Sequence, residues 1–139
     1  MVEALIAIVV RLGSVAGMAA DLHLRLLRFA GRVATLVDAL PRKVSSRVIA
    51  TQVMRSAASI GAHCREARRA RTRAEFSSKL NVALQEADET AYWLDLIAES
   101  GLMEPRRLWA LRRESNKLQA MLSAAILTNK NAPGPLPMP

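Results

Sequence analysis

From Leu22 the apolar side chains return at alternating steps of four and three, as Leu22, Leu26, Phe29, Val33, Leu36 and Leu40. Strand side chains switch faces at every residue, so this spacing fits a helix with one apolar face and not a strand. The same rhythm returns near the end of the chain as Leu108, Leu111, Ser115, Leu118, Leu122 and Ala125. Between them, Phe76, Leu80, Ala83, Ala87, Leu94 and Ala98 mark the inward face of another helix. Nowhere does a run of alternating β-branched residues stand between turn signals, so no strand is expected.

The ends of these helices carry local signals. Asp21 is a suitable N-cap for helix one, and Leu40-Pro41 stops it, because the residue before proline avoids the α region. Ser45 or Ser46 can cap helix two, which should run to about Ala70. Thr72 and Glu75 have the spacing of a capping box and open helix three just before Phe76. That helix should run from Arg73 to Ser100, with Gly101 as its stop, and Pro105 fits the first turn of helix four. Four helices of similar length with short connections predict an all-α, antiparallel up-down-up-down four-helix bundle over residues 19–129. A chain of 139 residues is long enough for one such core without a metal, and its single cysteine excludes an internal disulfide.

Two flanks differ from the bundle. Residues 1–18 read as an apolar leader or as an N-terminal extension of helix one. Their apolar run, Ala4 to Val10, is far short of the ~20 residues that span a bilayer. Glu3 before it and Arg11 after it reverse the charge order of a secretory signal. Residues 130–139, with Pro133, Pro135, Pro137 and Pro139, are expected to be disordered or polyproline-like. A cytoplasmic protein with no membrane contact fits these flanks.

Charge is spread unevenly. Between residues 42 and 73 stand Arg42, Lys43, Arg47, Arg55, Arg65, Arg68, Arg69, Arg71 and Arg73, with Glu66 as the only acid. Between 74 and 100 the balance reverses, with Lys79 alone against Glu75, Glu86, Asp88, Glu89, Asp95 and Glu99. Such a split suits a patch for a polyanion, or subunits that join basic to acidic surface. The segment Ser56-Ala57-Ala58-Ser59-Ile60-Gly61-Ala62 adds a flat stripe of small residues. A glycine inside a helix costs ~1 kcal/mol relative to alanine, so Gly61 predicts a contact with no room for a side chain.

Catalytic and metal readings are poorly supplied. His63 and Cys64 are sequence neighbours about 100° apart around a helix, and His23 is the only other histidine. Glu86 and Glu89 share a helix face, yet helix three has no histidine to complete a Glu-x-x-His ligand pattern. Glu86 or Glu89 is expected instead to pair with an arginine such as Arg55 or Arg65 across the bundle. Tyr92 and Trp93 are read as core or subunit-contact residues rather than a base-stacking platform, since they stand on the acidic helix. No metal, cofactor or small-molecule substrate is expected, and the chain does not read as an enzyme.

Several short stretches, taken together, carry a resemblance. Ser59-Ile60-Gly61-Ala62, Arg65-Glu66-Ala67, Glu75-Phe76, Lys79-Leu80, Ala83-Leu84, Glu86-Ala87, Glu89-Thr90 and Tyr92-Trp93-Leu94 stand in this order at a spacing that needs no insertion or deletion. They resemble the signature of the four-helix-bundle family related to proteins encoded in intervening sequences of 23S ribosomal RNA genes. The likeness covers about Asp21 to Leu127, with His63 where the family usually has Asn and Cys64 where it has Tyr or Ile. The resemblance implies a ring-like homo-oligomer, commonly a pentamer, and RNA as the partner class.

Arginine is the residue whose planar fork matches phosphate with two parallel hydrogen bonds. Among the 20 basic residues only Lys43, Lys79, Lys117 and Lys130 are lysines. Arg65, Arg68, Arg69, Arg71 and Arg73, at the end of helix two and the turn after it, are therefore the candidate contacts to RNA or another nucleic acid. No aromatic residue interleaves them, so contact to the backbone with little sequence selectivity is expected. The competing expectation is a protein-interaction or scaffold bundle whose arginines serve assembly alone.

Overall fold

The structure, a computed structural model, describes residues 15–132, with side chains from residue 21. Four α-helices make up the described chain: α1 (Val15–Asp38), α2 (Val44–Ala67), α3 (Arg73–Glu99) and α4 (Pro105–Asn131). Consecutive helices pack against each other, and α1 closes on α4 more sparsely, which gives the up-down-up-down bundle. The α1–α2 and α3–α4 turns share one end. The α2–α3 turn lies at the other, together with the start of α1 and the finish of α4. The leader up to residue 14 and the prolines from residue 133 lie outside the described residues.

The spacing read from the sequence becomes the core. Leu26, Phe29, Val33 and Leu36 of α1 and Leu108, Leu111, Leu118 and Leu122 of α4 are buried, as are Leu80, Ala83, Ala87 and Leu94 of α3. Leu22, Leu40, Phe76, Ala98 and Ala125 are partly buried against them. Burying one Leu, Ile, Val or Phe side chain fully contributes ~1.5–3 kcal/mol, so this interior supplies most of the drive to fold. Its middle is polar: Ser56, Thr90 and Ser115 are all fully enclosed. Thr90 Oγ1 donates to Ser56 Oγ at 2.8 Å, and Ser56 Oγ donates to the Val53 carbonyl at 3.2 Å. Ser115 Oγ donates to the Ala87 carbonyl at 3.4 Å. Each of these three hydroxyls thus has an acceptor, which removes the cost of drying it, whereas the Oγ of buried Ser46 has none among the described residues.

Helix three begins and ends as its sequence signals require. Thr72 Oγ1 accepts from the Glu75 N–H at 3.0 Å, and the Glu75 carboxylate reaches back to the Arg71 N–H at 2.9 Å. Gly101 adopts φ +67°, a left-handed conformation that a Cβ makes costly. There the Gly101 N–H bonds the Ala98 carbonyl and the Leu102 N–H bonds that of Ile97, the double closure of a Schellman motif.

Other boundaries differ from expectation. Asp21 lies inside α1, not at its start, because Met18, Ala19 and Ala20 are strong helix formers that continue the helix. Neither Ser45 nor Ser46 caps α2. Lys43 takes the extended N-cap backbone without a side-chain bond, while Ser46 turns inward and is buried. Helix α2 stops at Ala67, before the expected Ala70, as the Arg69 and Ala70 N–H groups tighten onto the Glu66 and Ala67 carbonyls three residues back. The expectation for Gly61 also changes. A Cβ built there would lie 3.6 Å from Leu26 Cβ, an ordinary van der Waals contact, so the packing leaves room for alanine.

Candidate nucleic-acid interface

At the α2–α3 corner a helix C-terminus meets a helix N-terminus. Cations are favoured beside the carbonyl end of α2, and the N–H groups that open α3 favour an anion. Arg68, Arg69 and Arg71 stand exposed on this turn, and none of their guanidinium groups has a hydrogen-bond or ion-pair partner among the described residues. Two acids are close in sequence. Glu66 accepts from Lys79 Nζ at 3.0 Å, which holds its carboxyl below the usual range, while Glu75 is engaged with the Arg71 backbone. The corner therefore presents guanidinium groups that its own acids do not neutralise.

The other two candidate arginines are engaged. Arg65 is exposed, but its Nη2 lies 2.7 Å from His23 Nε2 on α1. A guanidinium only donates, so in this contact Nε2 is the acceptor. Arg73 turns back toward α4, where its Nη1 donates to Asn129 Oδ1 at 3.1 Å. The Asn129 amide in turn donates to the Arg73 carbonyl at 3.0 Å and to Ser77 Oγ at 2.7 Å. This clasp is buried at Asn129 and fixes the last turn of α4 against the first turn of α3. It also brings exposed Lys130 to the corner, a residue the sequence did not single out. No local signal could have shown this, because the clasp joins residues 56 positions apart.

The acids of α3 pair as expected, with Arg55. Its Nη1 lies 3.2 Å from Glu86 Oε2, and its Nη2 contacts the Glu89 carboxylate. Glu89 Oε1 also accepts from Trp93 Nε1 at 3.0 Å, and these bonds, Trp93 first and Arg55 second, hold its carboxyl below the usual range. A second brace joins α1 to α4, with Arg25 Nε and Nη2 at 2.6 and 3.1 Å from the two oxygens of Glu114. Trp93 packs partly buried against the core, whereas Tyr92 is exposed.

Cys64 is buried and its thiol is pushed up to about 12 by that burial, so it is not a thiolate at neutral pH. His63 Nδ1 lies 3.6 Å from Glu66 Oε2. Among the described residues no cluster of three or more His, Cys, Asp or Glu could hold a metal ion. None of the described helices is long and apolar enough to cross a membrane.

A family model described as 23S rRNA-intervening sequence protein matches residues 24–124, a span that contains all five candidate arginines. Among solved structures, the chain is similar to a protein with unknown function from the S23 ribosomal protein family of Bacteroides thetaiotaomicron VPI-5482, determined at 1.70 Å. The two share 34% identity over 79% of this chain and 98% of the other, with a TM-score of 0.74. No curated protein matches the chain.

Proposed function

The chain belongs to the 23S rRNA-intervening sequence protein family, and on that premise we propose that it is a non-enzymatic, homo-oligomeric accessory protein that binds RNA through phosphates. The observation that carries this reading is the exposure of Arg68, Arg69 and Arg71 on one turn with no acid paired to them among the described residues. Arginines 25, 55 and 112 show what this chain does with a guanidinium it uses internally: each is matched to a carboxylate. The three at the corner are not, and a phosphate supplies the missing partner. Lys130 adds charge from α4, and Arg65 is within the same exposed surface although tied to His23. Contacts of this kind read the backbone and not the bases.

Self-association strengthens such a patch, since each added copy repeats the corner and raises the effective concentration of its contacts. Leu24, Leu27, Val44 and Val48 are exposed on the outer faces of α1 and α2, apolar surface of the type that joins subunits. Five copies is the expected number. These same side chains favour the second reading, a protein-interaction bundle without nucleic acid. Light scattering of the purified chain, with and without a generic RNA at low and high salt, separates the two. The RNA reading expects an oligomer that gains mass with RNA at low salt only. An oligomer that ignores RNA at every salt supports the interaction bundle.

A further inference from the structure

An open groove runs between the C-terminal half of α3 and the first turns of α4, lined by Tyr92, Asp95, Leu96, Glu99, Pro105 and Arg112. Tyr92 is the aromatic residue that lines it. The Tyr92 ring meets Trp93 edge to face at 5.3 Å, and Trp93 is held by Glu89. One turn beyond Pro105, exposed Trp109 carries the Arg113 guanidinium 5.2 Å from its ring centre. The charge along this face is mixed, with Arg112 and Arg113 on α4 and the acids on α3. Asp95 is paired with Arg112 at 2.6 Å, but Asp88 and Glu99 are exposed and have no ion-pair partner among the described residues. An exposed tyrosine in a groove, with unpaired acids on the same helix, suits a proline-rich strand with a basic residue beside it.

The chain contains such a strand. Lys130 is exposed on the last turn of α4 and is followed by Ala132-Pro133-Gly134-Pro135-Leu136-Pro137-Met138-Pro139. Every second position from Pro133 is proline, which fixes its own φ and pushes the residue before it out of the α region. The stretch therefore gives up little freedom when it binds as a polyproline II strand. It cannot reach the groove of its own chain. Residues 133–139 span ~22 Å at ~3.1 Å per residue, while Arg112 lies ~30 Å from Ala132 along α4 at ~1.5 Å per residue. We propose that the proline-rich residues 133–139 of one copy dock in the α3–α4 groove of a second copy, against Tyr92 and Trp109, with Lys130 near Asp88 or Glu99. This contact between copies does not depend on RNA.

The test places a photoreactive residue in the full chain, as Leu136→p-benzoylphenylalanine, in an equal mixture of isotopically heavy and light protein. The expected result is cross-links between heavy and light chains that map to the segment from Tyr92 to Arg112. Tyr92→Ala with Trp109→Ala should reduce their yield about tenfold, the loss of about one aromatic contact's worth of affinity. Both side chains are exposed, so circular dichroism should show the bundle intact. Pro135→Ala with Pro137→Ala, outside the four helices, should lower the same yield without touching the groove. Cross-links confined to single chains, cross-links to another surface, or none at all overturn the proposal. So does a yield that neither pair of substitutions changes.

Discussion

Helices α2 and α3 meet in two different ways along their length. At mid-bundle polar groups are matched across the helices: Ser56 with Thr90 inside, and Arg55 with Glu86 and Glu89 at the edge. Where the helices separate, Arg68, Arg69 and Arg71 extend from the turn without acidic partners among the described residues. The lesson is that basic sequence is not one property. An arginine already satisfied by a carboxylate contributes to the fold, whereas an unmatched exposed one costs the fold little and remains available to a phosphate. Substitutions at mid-bundle should therefore change stability and leave intrinsic RNA affinity alone, and substitutions at the corner should do the reverse.

The largest effect is expected from Leu94→Ala, which empties a fully enclosed position on α3. Urea denaturation should show a loss of ~2–5 kcal/mol. A loss below 1 kcal/mol would mean that the interior is not packed as described. Thr90→Val keeps the shape but removes the hydroxyl that donates to Ser56, and should cost about 1 kcal/mol in the same assay. Gly61→Ala carries the opposite sign. The space beside Leu26 accepts the methyl group, so better helix propensity should raise stability by up to ~1 kcal/mol. Destabilisation by that substitution would restore the tight contact expected from sequence.

The smallest effect concerns the α1–α4 brace. Hydrogen bonds from Arg25, more than its charge alone, hold the Glu114 carboxyl below its ordinary value of 4.5. A depressed folded value means that this carboxylate stabilises the fold fully above the unfolded value and loses that contribution as acid protonates it in the folded state. Melting temperature should therefore fall as pH drops from about 5 to about 3, and Glu114→Gln should make that fall shallower. For a partly buried pair at the bundle surface the difference is ~1 kcal/mol or less. Parallel pH curves for the two proteins would show that Glu114 is not coupled to folding.

Much of this division was legible in the residues. The four-and-three spacing located the buried faces, Thr72-x-x-Glu75 located the start of α3, and Glu86 or Glu89 was expected to meet an arginine, although not one shared by both. What was not legible is long-range or competitive. The partner of Arg73 is Asn129, and nothing near either residue identifies the other. Ser46 has the chemistry of a cap, yet its position on the inward face of α2 decides its orientation. Arg65 looked equivalent to Arg68 until α1 placed His23 beside it. The arginine cluster was thus visible as a cluster, and only the packed helices divide it into engaged and unengaged members.

The salt dependence of RNA binding tests this division most directly. Affinity for a generic single-stranded RNA would be measured across salt concentrations for the parent chain and for Arg68→Ala/Arg69→Ala/Arg71→Ala, with urea denaturation alongside. Each phosphate contact contributes ~0.7 to the slope of log affinity against log salt, so losing three should flatten it by about 2. Stability should change by no more than ~0.5 kcal/mol. An unchanged slope, or a large loss of stability with no change in slope, would contradict the assignment of these three arginines to phosphate.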